Sequence, residues 1–198
     1  MDRLSIVACV AAAVVAGGCD DNTKSSKASR ERANAVTVSA KNRPDPAAVC
    51  DKHYAASSAP SYEPPALAGT AAAAKPGAWR WVNVWASWCK PCVEEMARLR
   101  RWTKKLHQGG TKVQLVMISA DASAEDEAKF RKQHPDTPPG VRLERTDDLV
   151  PWIAKLGVKG ASLPVHILVD PAGKVRCVRA SAVQSTDYAA VAALLGAK

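Results

Sequence analysis

The sequence predicts an α/β protein in which a mixed sheet is flanked by helices. Three observations predict this fold class. Apolar runs rich in Val, typical of buried strands, alternate with segments of helical periodicity from residue 79 to the C-terminus. The last two apolar runs are joined by the turn Pro-Ala-Gly-Lys, which indicates an antiparallel hairpin. A chain of 198 residues also has room for one domain of ordinary size with appendages.

The first strand and helix of this alternation are the best defined. The segment AWRWVNVWAS, residues 78–87, is rich in Val and Trp and indicates a buried strand. A helix is predicted over residues 91–106, and Gly109 and Gly110 end it. Its buried stripe recurs at intervals of three or four residues and comprises Met96, Leu99, Trp102 and Leu106.

The rest of the domain continues the alternation. The further strands are KVQLVMISA, the short GVRLER, LPVHILVD and VRCVRAS. The further helices are SAEDEAKFRKQHP, DDLVPWIAKLG and TDYAAVAALLGAK. Ser123 is the candidate N-cap of the first of these helices, and Thr186 or Asp187 that of the last. The predicted sheet therefore has helices on both faces.

Residues 1–19 predict export of the chain. A polar start with Arg3 precedes an apolar run, residues 4–16, which has signal-peptide length and is shorter than the ~20 residues of a transmembrane helix. Small residues and then Cys19 follow, an arrangement that resembles a bacterial lipoprotein signal with Cys19 as the lipidated residue. An ordinary signal peptide and an uncleaved anchor are the alternatives, and all three export the protein.

Between this signal and the alternating segment the composition changes twice. Residues 20–45 are polar and charged with almost no apolar pattern, which predicts a disordered linker. Residues 46–198 form the predicted domain, and its first part, to about residue 75, is an extension rich in Pro and Ala. The segment PSYEPPALAG in this extension favours extended structure and a short strand over a helix.

Charge and cysteine content narrow the function classes. The net charge of +9 comes from scattered Lys and Arg without an aromatic-interleaved groove pattern, so nucleic-acid binding is not expected. Of the six cysteines, Cys9 lies in the segment to be removed and Cys19 is the lipidation candidate. An even number remains, as expected of a disulfide-using exported domain: Cys50, Cys89, Cys92 and Cys177.

The segment WASWCKPC, residues 85–92, carries the chemistry. It joins the first strand to the first helix, a context that favours a redox pair over a zinc site. Cys89 falls at the first helical turn, where free N–H groups and the helix dipole stabilise a thiolate, the attacking species. Cys92 returns over one helical turn and can close a disulfide. We therefore expect Cys89 to attack a substrate disulfide and Cys92 to resolve the mixed disulfide.

The segments WASWCKPCVEEM, LPVHILVD and DPAGKV resemble the thioredoxin superfamily. The chain is most similar to its membrane-anchored extracytoplasmic branch, the TlpA/ResA-type thiol–disulfide oxidoreductases, from about residue 79 to the C-terminus. The resemblance implies a thioredoxin-like fold, a redox-active Cys89–Cys92 disulfide and no cofactor.

The resemblance also implies further site residues. In this fold a cis-proline loop packs against the cysteine pair and presents backbone to the substrate, and Pro164 matches it; an edge-strand trans-proline is the alternative. Trp88 and Leu163 are the implied substrate contacts. Glu95 matches a Glu of the extracytoplasmic branch and is a candidate acceptor for the proton of Cys92; the alternative is an ordinary helix acid favoured by the dipole.

The chain departs from the superfamily pattern in several places. Asn83 stands where thioredoxins have a buried Asp, and Ala97 replaces a proline that kinks the helix. The loop VKGASLP is two residues longer than the usual one, and RASAV lacks the usual glycine. Of the histidines, only His166 could approach the site, and we interpret it as a strand residue rather than a metal ligand. No metal site is predicted.

The two remaining cysteines predict a second disulfide. A Cys50–Cys177 bond would pin the Pro-rich extension to the last hairpin and stabilise the fold by several kcal/mol, on the order of 4. Even parity and predicted export favour this bond. Two free or substrate-exchanging thiols are the alternative.

Three functions stay open at this point. The leading hypothesis is a lipid-anchored reductase of disulfides in exported proteins, with apocytochromes c as one substrate class. It implies a periplasmic site at the outer face of the cytoplasmic membrane, or the outer membrane, and a membrane thiol-transfer partner that supplies electrons. A monomer is expected. The alternatives are a disulfide oxidant or isomerase, since direction follows the reduction potential, and a Cu(I) metallochaperone that uses Cys89 and Cys92.

Overall fold

The computed structural model describes residues 44–197. The predicted signal peptide, the lipidation candidate Cys19 and nearly all of the linker 20–45 lie outside these residues. Within the described range, no helix has both the length and the apolarity needed to cross a membrane.

Residues 44–197 form seven strands and four α-helices. The strands are β1 (Lys52–His53), β2 (Leu67–Ala68), β3 (Trp79–Trp85), β4 (Val113–Ser119), β5 (Gly140–Leu143), β6 (Val165–Val169) and β7 (Val175–Arg179). The helices are α1 (Lys90–Gln108), α2 (Ala124–Gln133), α3 (Leu149–Lys155) and α4 (Tyr188–Leu194). Every strand and helix predicted from residue 79 onward is present, in the predicted order.

The strands form one mixed sheet in the order β1-β7-β6-β3-β4-β5-β2. The neighbours β3–β4 and β4–β5 are parallel, whereas β3–β6, β6–β7 and both terminal pairs are antiparallel. The predicted hairpin is the pair β6–β7. This sheet, flanked by helices, confirms the predicted thioredoxin-like fold, and it places β3, which leads into the cysteine motif, at its centre.

The two faces of the sheet pack against different helices. Val82 and Val84 of β3 belong to a core that includes Trp152 and Ile153 of α3. Alternate residues of β3 face the other side, because successive side chains of a strand point to opposite faces. There, the predicted buried stripe of α1 is confirmed, and Trp81 and Trp85 pack in the cores that contain it. Asn83 lies between those two tryptophans on β3 and is also fully buried.

Helix α1 runs without interruption over 19 residues. Ala97 lies within it, so the absence of a proline at this position coincides with a continuous helix. The Ser123 N-cap of α2 is confirmed, because its hydroxyl accepts a hydrogen bond from the N–H of Asp126 at 3.2 Å. Of the two predicted caps of α4, Asp187 is the N-cap residue and Thr186 lies inside a 3₁₀ turn. The Asp187 carboxylate makes no capping bond to α4 and accepts from the N–H of Gln184.

The extension before β3 supplies an edge strand at each side of the sheet. A 3₁₀ turn over Pro46–Val49 leads into β1, which pairs with β7. Ser61 bridges to Lys174 in the hairpin, and β2 then pairs with β5 at the opposite edge. The extended structure and short strand expected here are confirmed, while the turn and β1 were not expected. Both edges of the sheet are therefore strands of only two residues, a length that disfavours edge-to-edge association.

Tyr62 anchors the middle of this extension. Its ring lies edge-on to Trp152 of α3 at 6.2 Å between centroids, and the Arg80 guanidinium lies 4.6 Å from the ring centroid. Burial raises the pKa of Tyr62 to about 12, against the opposing effect of the Arg80 charge. Burial therefore favours the neutral phenol of Tyr62 over the phenolate.

Candidate active site

The cysteine pair lies where the central strand enters the first helix. Cys89 is the N-cap residue of α1 and its side chain makes no capping hydrogen bond, while Cys92 lies in the first turn. Their Sγ atoms are 1.99 Å apart. Cys89 is 4 % exposed and Cys92 is 0 % exposed, so Cys89 is the one of the two that retains exposed surface. This asymmetry matches an attacking thiol followed by a buried resolving thiol.

Asp121 anchors the turn that carries the pair. Its carboxylate accepts hydrogen bonds from the N–H of Ser87 at 3.0 and 3.1 Å and from the Ser87 hydroxyl at 2.7 Å. The Ser119 hydroxyl also donates to it at 2.7 Å, and Asp121 is 1 % exposed. The sequence analysis missed this residue. Its position just after β4 was the available signal, because ligand and site residues gather at the carboxyl ends of parallel strands.

The two tryptophans of the motif have different environments. Trp85 is fully buried and packs against Phe130 with ring centroids 5.3 Å apart, which confirms its expected place in the core. Trp88 is 70 % exposed although it directly precedes the attacking cysteine. A shallow cavity lies beside it, lined by Ser87, Trp88, Asp126, Lys129, Phe130 and Gln133. An exposed indole at this place offers a contact surface for a substrate chain.

The Pro164 loop reaches the same end of the sheet. The Leu163–Pro164 bond is cis, as the resemblance implies, and β6 begins at the next residue. Val165 pairs with Val84, which brings Pro164 to the end of β3 that leads to the cysteines. Leu163 is half-buried and packs against the apolar cluster that contains both Cys89 and Cys92.

The lengthened loop before Pro164 is tied to its surroundings at both ends. The carbonyl of Leu156 accepts a hydrogen bond from the Tyr54 hydroxyl at 3.0 Å. The Ser162 hydroxyl donates to the carbonyl of Ala180, just beyond β7, at 2.8 Å. Gly157 and Gly160 turn the chain between these points with φ values of 78° and 75°. The additional residues therefore form a loop with fixed ends next to the site.

Glu95 lies in a buried polar cluster behind the cysteine pair. It is 0 % exposed, three residues after Cys92 and therefore on the same side of α1. One oxygen, Oε1, accepts from Asn83 Nδ2 at 2.9 Å, and Oε2 accepts from the N–H of Val183 at 2.9 Å. An ordinary helix acid would be solvated, so this placement favours the interpretation in which Glu95 serves the cysteines.

His166 completes this cluster. It is the strand partner of Asn83 and is 3 % exposed. Its Nδ1 accepts from the indole N–H of Trp81 at 3.0 Å, and its Nε2 lies 3.2 Å from Glu95 Oε1, at an angle outside the hydrogen-bond range. The expectation that His166 could approach the site is met by this contact with Glu95. The sequence analysis assigned no part in the site to Trp81 or to the Val183 backbone.

Charged and metal-binding groups near the pair are few. The Lys90 ammonium, next to Cys89, lies 3.8 Å from the Glu94 carboxylate, and both side chains are largely exposed. An exposed pair of this kind is weak. Within residues 44–197, no group of three or more His, Cys, Asp or Glu side chains is placed to hold a metal ion. The described residues therefore add no third ligand to the two thiols.

The second cysteine pair lies at the far edge of the sheet. The Sγ atoms of Cys50 and Cys177 are 2.04 Å apart, and the residues are 127 positions apart in sequence. Cys177 lies on β7 and is 2 % exposed, while Cys50 follows the 3₁₀ turn and is half-buried. The structure thus brings together the two residues of the predicted second disulfide, at the junction of the extension and the hairpin.

Comparisons with known proteins agree with this geometry. Residues 79–175 match the family model described as thioredoxin-like. Proteins named thiol-disulfide oxidoreductase ResA, from Bacillus thuringiensis subsp. konkukian and Bacillus cereus, are 28% identical over 94 residues, which is 48% of this chain and 50% of theirs. The chain thus spans about half the length of the curated relatives it matches.

Solved structures with similar folds include a thioredoxin-related protein from Neisseria meningitidis serogroup B, with 26% identity and a TM-score of 0.48 over 63% of this chain and 89% of that one. A putative thiol:disulfide interchange protein DsbE from Chlorobium tepidum has 26% identity and a TM-score of 0.46 over 61% and 82%.

The sheet order, the cysteine pair at the start of α1 and the family match define a thioredoxin-like protein, and the chain belongs to the thioredoxin superfamily. Within the superfamily it is similar to the two Bacillus proteins named ResA.

Proposed function

We propose that this chain is an extracytoplasmic thiol–disulfide oxidoreductase that reduces disulfides of exported proteins. The observation that carries the proposal is the asymmetric pair at the N-terminus of α1, in which Cys89 is accessible and Cys92 is sealed. The names of the Bacillus relatives support the same class of activity.

The reaction has two exchange steps. The Cys89 thiolate attacks one sulfur of the substrate disulfide, forms a Cys89–substrate bond and releases the other substrate sulfur as a thiolate. Cys92, deprotonated, then attacks Cys89 Sγ, closes the Cys89–Cys92 disulfide and releases the second substrate sulfur. Two electrons pass from the protein dithiol to the substrate. A membrane thiol-transfer partner that re-reduces the pair completes the proposal.

Glu95 has a defined part in the second step. Cys92 is fully buried, so its proton must pass to a neighbouring group before the thiolate can attack. Glu95 is the nearest carboxylate along the same side of α1, and its own hydrogen bonds hold both oxygens in place. We therefore assign the proton of Cys92 to Glu95.

The substrate surface lies around Cys89. Trp88 gives an exposed aromatic contact, Leu163 packs beside the pair, and the Pro164 loop presents backbone for an extended substrate chain. The Cys50–Cys177 disulfide is proposed as structural, since it joins the extension to β7 away from this surface.

The remaining parts of the proposal concern the N-terminal segment, nearly all of which lies outside the described range, and its connection to the domain. Cys19 is proposed as the lipid anchor, the linker 20–45 as the tether and residues 46–198 as the working domain. This arrangement places the domain in the periplasm, at the outer face of the cytoplasmic membrane or at the outer membrane, as a monomer. Apocytochrome c remains one candidate substrate class.

A disulfide oxidant or isomerase is the second candidate. Lys90 next to the attacking thiol would favour oxidising behaviour, but its ammonium is exposed and shared with Glu94. The exposed ammonium therefore gives little support to that direction. Metal binding by the two thiols remains a third candidate, tested by Cu(I) titration of the reduced protein.

The proposal is tested by reduction of insulin in the presence of dithiothreitol. The wild-type protein is expected to accelerate precipitation of the insulin B chain, and Cys89→Ser is expected to abolish the acceleration. Equal activity of wild type and Cys89→Ser, or no activity in either, would refute the proposal.

A further inference from the structure

We propose that His166 and Trp81 are positioning residues for the second exchange step: Trp81 holds His166 as a neutral imidazole, so that Glu95 alone receives the proton of Cys92. This inference deepens the proposed function and rests on it for its chemical meaning. Its structural part, the protonation form of His166, stands on the geometry of the cluster alone.

The form of His166 follows from its donors. An indole N–H only donates, so the 3.0 Å contact from Trp81 Nε1 requires a lone pair on His166 Nδ1. Asn83 Nδ2 lies 3.3 Å from the same nitrogen. With Nδ1 facing two N–H groups, the ring proton must be on Nε2, the nitrogen that lies 3.2 Å from Glu95 Oε1.

The orientation of Asn83 is fixed by the same cluster. Its amide nitrogen donates to Glu95 Oε1 at 2.9 Å. The reversed amide would place its oxygen against the carboxylate oxygen, which is repulsive. Asn83 therefore faces both Glu95 and His166 with a donor, and it cannot supply an acceptor that would draw a proton onto Nδ1.

The cations on the elements packed around His166 are bonded to other groups. From β7, Arg179 is the strand partner of His166, and its guanidinium pairs with Asp187 at 3.2 Å. From α1, Arg98 donates to the carbonyl of Val183 at 2.6 Å, and the N–H of Val183 donates to Glu95. The other titratable group on this side of α1 is Cys92 itself. The charge in contact with the ring is the Glu95 carboxylate at Nε2, so the donors that face Nδ1 decide whether that nitrogen carries a proton.

Glu95 and His166 therefore have different parts in proton transfer. An imidazolium at His166 would neutralise the carboxylate and weaken its hold on an incoming proton. A neutral imidazole whose Nδ1 lone pair already accepts from Trp81 leaves the Glu95 carboxylate as the group of this cluster that can take the proton. In the resolving step the S–H bond of Cys92 breaks, an O–H bond forms on Glu95, and His166 keeps its own proton on Nε2 throughout.

The first experiment reads the tautomer in wild-type protein. Nitrogen-15 NMR of the histidine side chains in the full chain distinguishes the two neutral tautomers by the chemical shifts of the ring nitrogens. His166 is expected to be the Nε2–H form. The Nδ1–H form, or a ring that carries both protons, would overturn the inference, and this readout needs no enzymatic activity.

The second experiment frees Nδ1. In Trp81→Phe the ring loses its N–H, so His166 can take a second proton. Trp102→Phe is the matched control, because Trp102 packs against Trp81 with centroids 6.1 Å apart but has no bond to His166. Reaction of the reduced protein with 5,5′-dithiobis(2-nitrobenzoate) reports the resolving step as the second release of nitrothiobenzoate.

Trp81→Phe is expected to slow that second release about tenfold on the acidic side of neutrality. Proton transfer by a positioned side chain contributes about 10²–10⁴-fold to a rate, and the variant is expected to lose part of that contribution. Trp102→Phe is expected to keep the wild-type pH profile. His166→Gln, which restores an N–H donor without a titrating ring, is expected to stay closer to wild type than His166→Phe.

Identical pH profiles for Trp81→Phe and Trp102→Phe would refute the proton-transfer part of the inference. If Trp81→Phe does not fold, His166→Gln and His166→Phe are compared instead. Equal rates of the second nitrothiobenzoate release in these two variants would refute the proton-transfer part of the inference. An insulin assay without activity, together with an Nε2–H form of His166, would instead refute the proposed function and leave the tautomer assignment standing.

Discussion

The two cysteine pairs of this chain have similar backbone geometry and different surroundings. Their Cα–Cα separations are 5.3 Å for Cys89–Cys92 and 5.4 Å for Cys50–Cys177, and both pairs are largely buried. One closes a sequence separation of 3 residues at a helix N-terminus, and the other closes a separation of 127 between β7 and the extension. Burial and spacing of the sulfur atoms therefore do not identify the redox pair.

The neighbours of the two pairs differ, and this difference supports the proposed redox role of Cys89–Cys92. Around Cys89 lie an exposed indole, a cis-proline loop and a helix N-terminus, with a buried carboxylate behind Cys92. Around Cys177 lie apolar residues of the sheet and of α4. A disulfide that must open needs an accessible sulfur and a proton acceptor, whereas a structural disulfide needs only a long loop to close.

The largest expected effect comes from Cys89→Ser. Insulin reduction is expected to fall to the background rate, because no other described cysteine can start the exchange. The matched control is Cys50→Ser combined with Cys177→Ser, which is expected to retain activity per folded molecule. Loss of activity in the Cys50→Ser, Cys177→Ser variant, with activity retained in Cys89→Ser, would reverse the assignment.

The second effect concerns stability. Removing Cys50 and Cys177 together is expected to lower the free energy of unfolding by about 4–5 kcal/mol, since the bond closes a loop of more than a hundred residues. Reduction of the Cys89–Cys92 pair alone is expected to cost about 2 kcal/mol or less, because its loop is short. Urea unfolding of the two forms measures both values, and the opposite order would contradict the comparison.

Glu95→Gln is expected to slow the resolving step by roughly 10²-fold while leaving the first attack by Cys89 nearly unchanged. The amide keeps the shape of the side chain but cannot take the proton of Cys92. The first and second releases of nitrothiobenzoate separate the two steps. Glu94→Gln, on the exposed side of α1, is the control. Equal slowing of both releases would indicate a structural role for Glu95.

Asp121→Asn is expected to destabilise the protein by about 1–3 kcal/mol, because it replaces an acceptor of several hydrogen bonds from the active-site turn with an amide. The same substitution is expected to lower activity, since Ser87 fixes the turn before Cys89. Thermal unfolding and insulin reduction measured on one sample check both effects. Unchanged activity would show that the turn keeps its geometry without this anchor.

The smallest expected effect is a pH dependence of the extension. The pKa of Tyr62 is about 12 in the folded protein, while a tyrosine in the unfolded chain has its ordinary value of about 10. Stability from this residue is therefore present below pH 10 and is lost as the pH rises toward 12, by about 1–2 kcal/mol. Tyr62→Phe is expected to remove this part of the alkaline loss in urea unfolding. The same loss in the variant would contradict it.

Much of the domain could be predicted from the sequence because its signals are local. Each of these signals depends on residues that are close in the chain: the apolar runs, the hairpin turn and the buried stripe of α1. The segments on either side of the cysteine motif likewise indicate that it lies at a strand–helix junction. Pro164 and Glu95 were found through resemblance. The two-residue strands of the extension could not be placed, because so short a segment has no periodicity and its pairing depends on distant edges.

The polar cluster could not be predicted for a similar reason. Trp81, Glu95 and His166 meet only because β3 and β6 pair in one register and α1 lies across that face. The Asp121 anchor joins residues 34 positions apart, across two parallel strands. In each case a single residue produces no periodic signal in the sequence, and its contacts become visible only once the sheet is assembled.

The central claim is that Cys89–Cys92 is the redox pair and Cys50–Cys177 is not. Its most direct test is stepwise equilibration with redox buffers, followed by alkylation and mass spectrometry of each cysteine peptide. Cys89–Cys92 is expected to open first, near the potential of thioredoxin, about −270 mV, and Cys50–Cys177 is expected to stay closed until the potential of the buffer is more negative than about −300 mV. Opening of Cys50–Cys177 before or together with Cys89–Cys92 would contradict it.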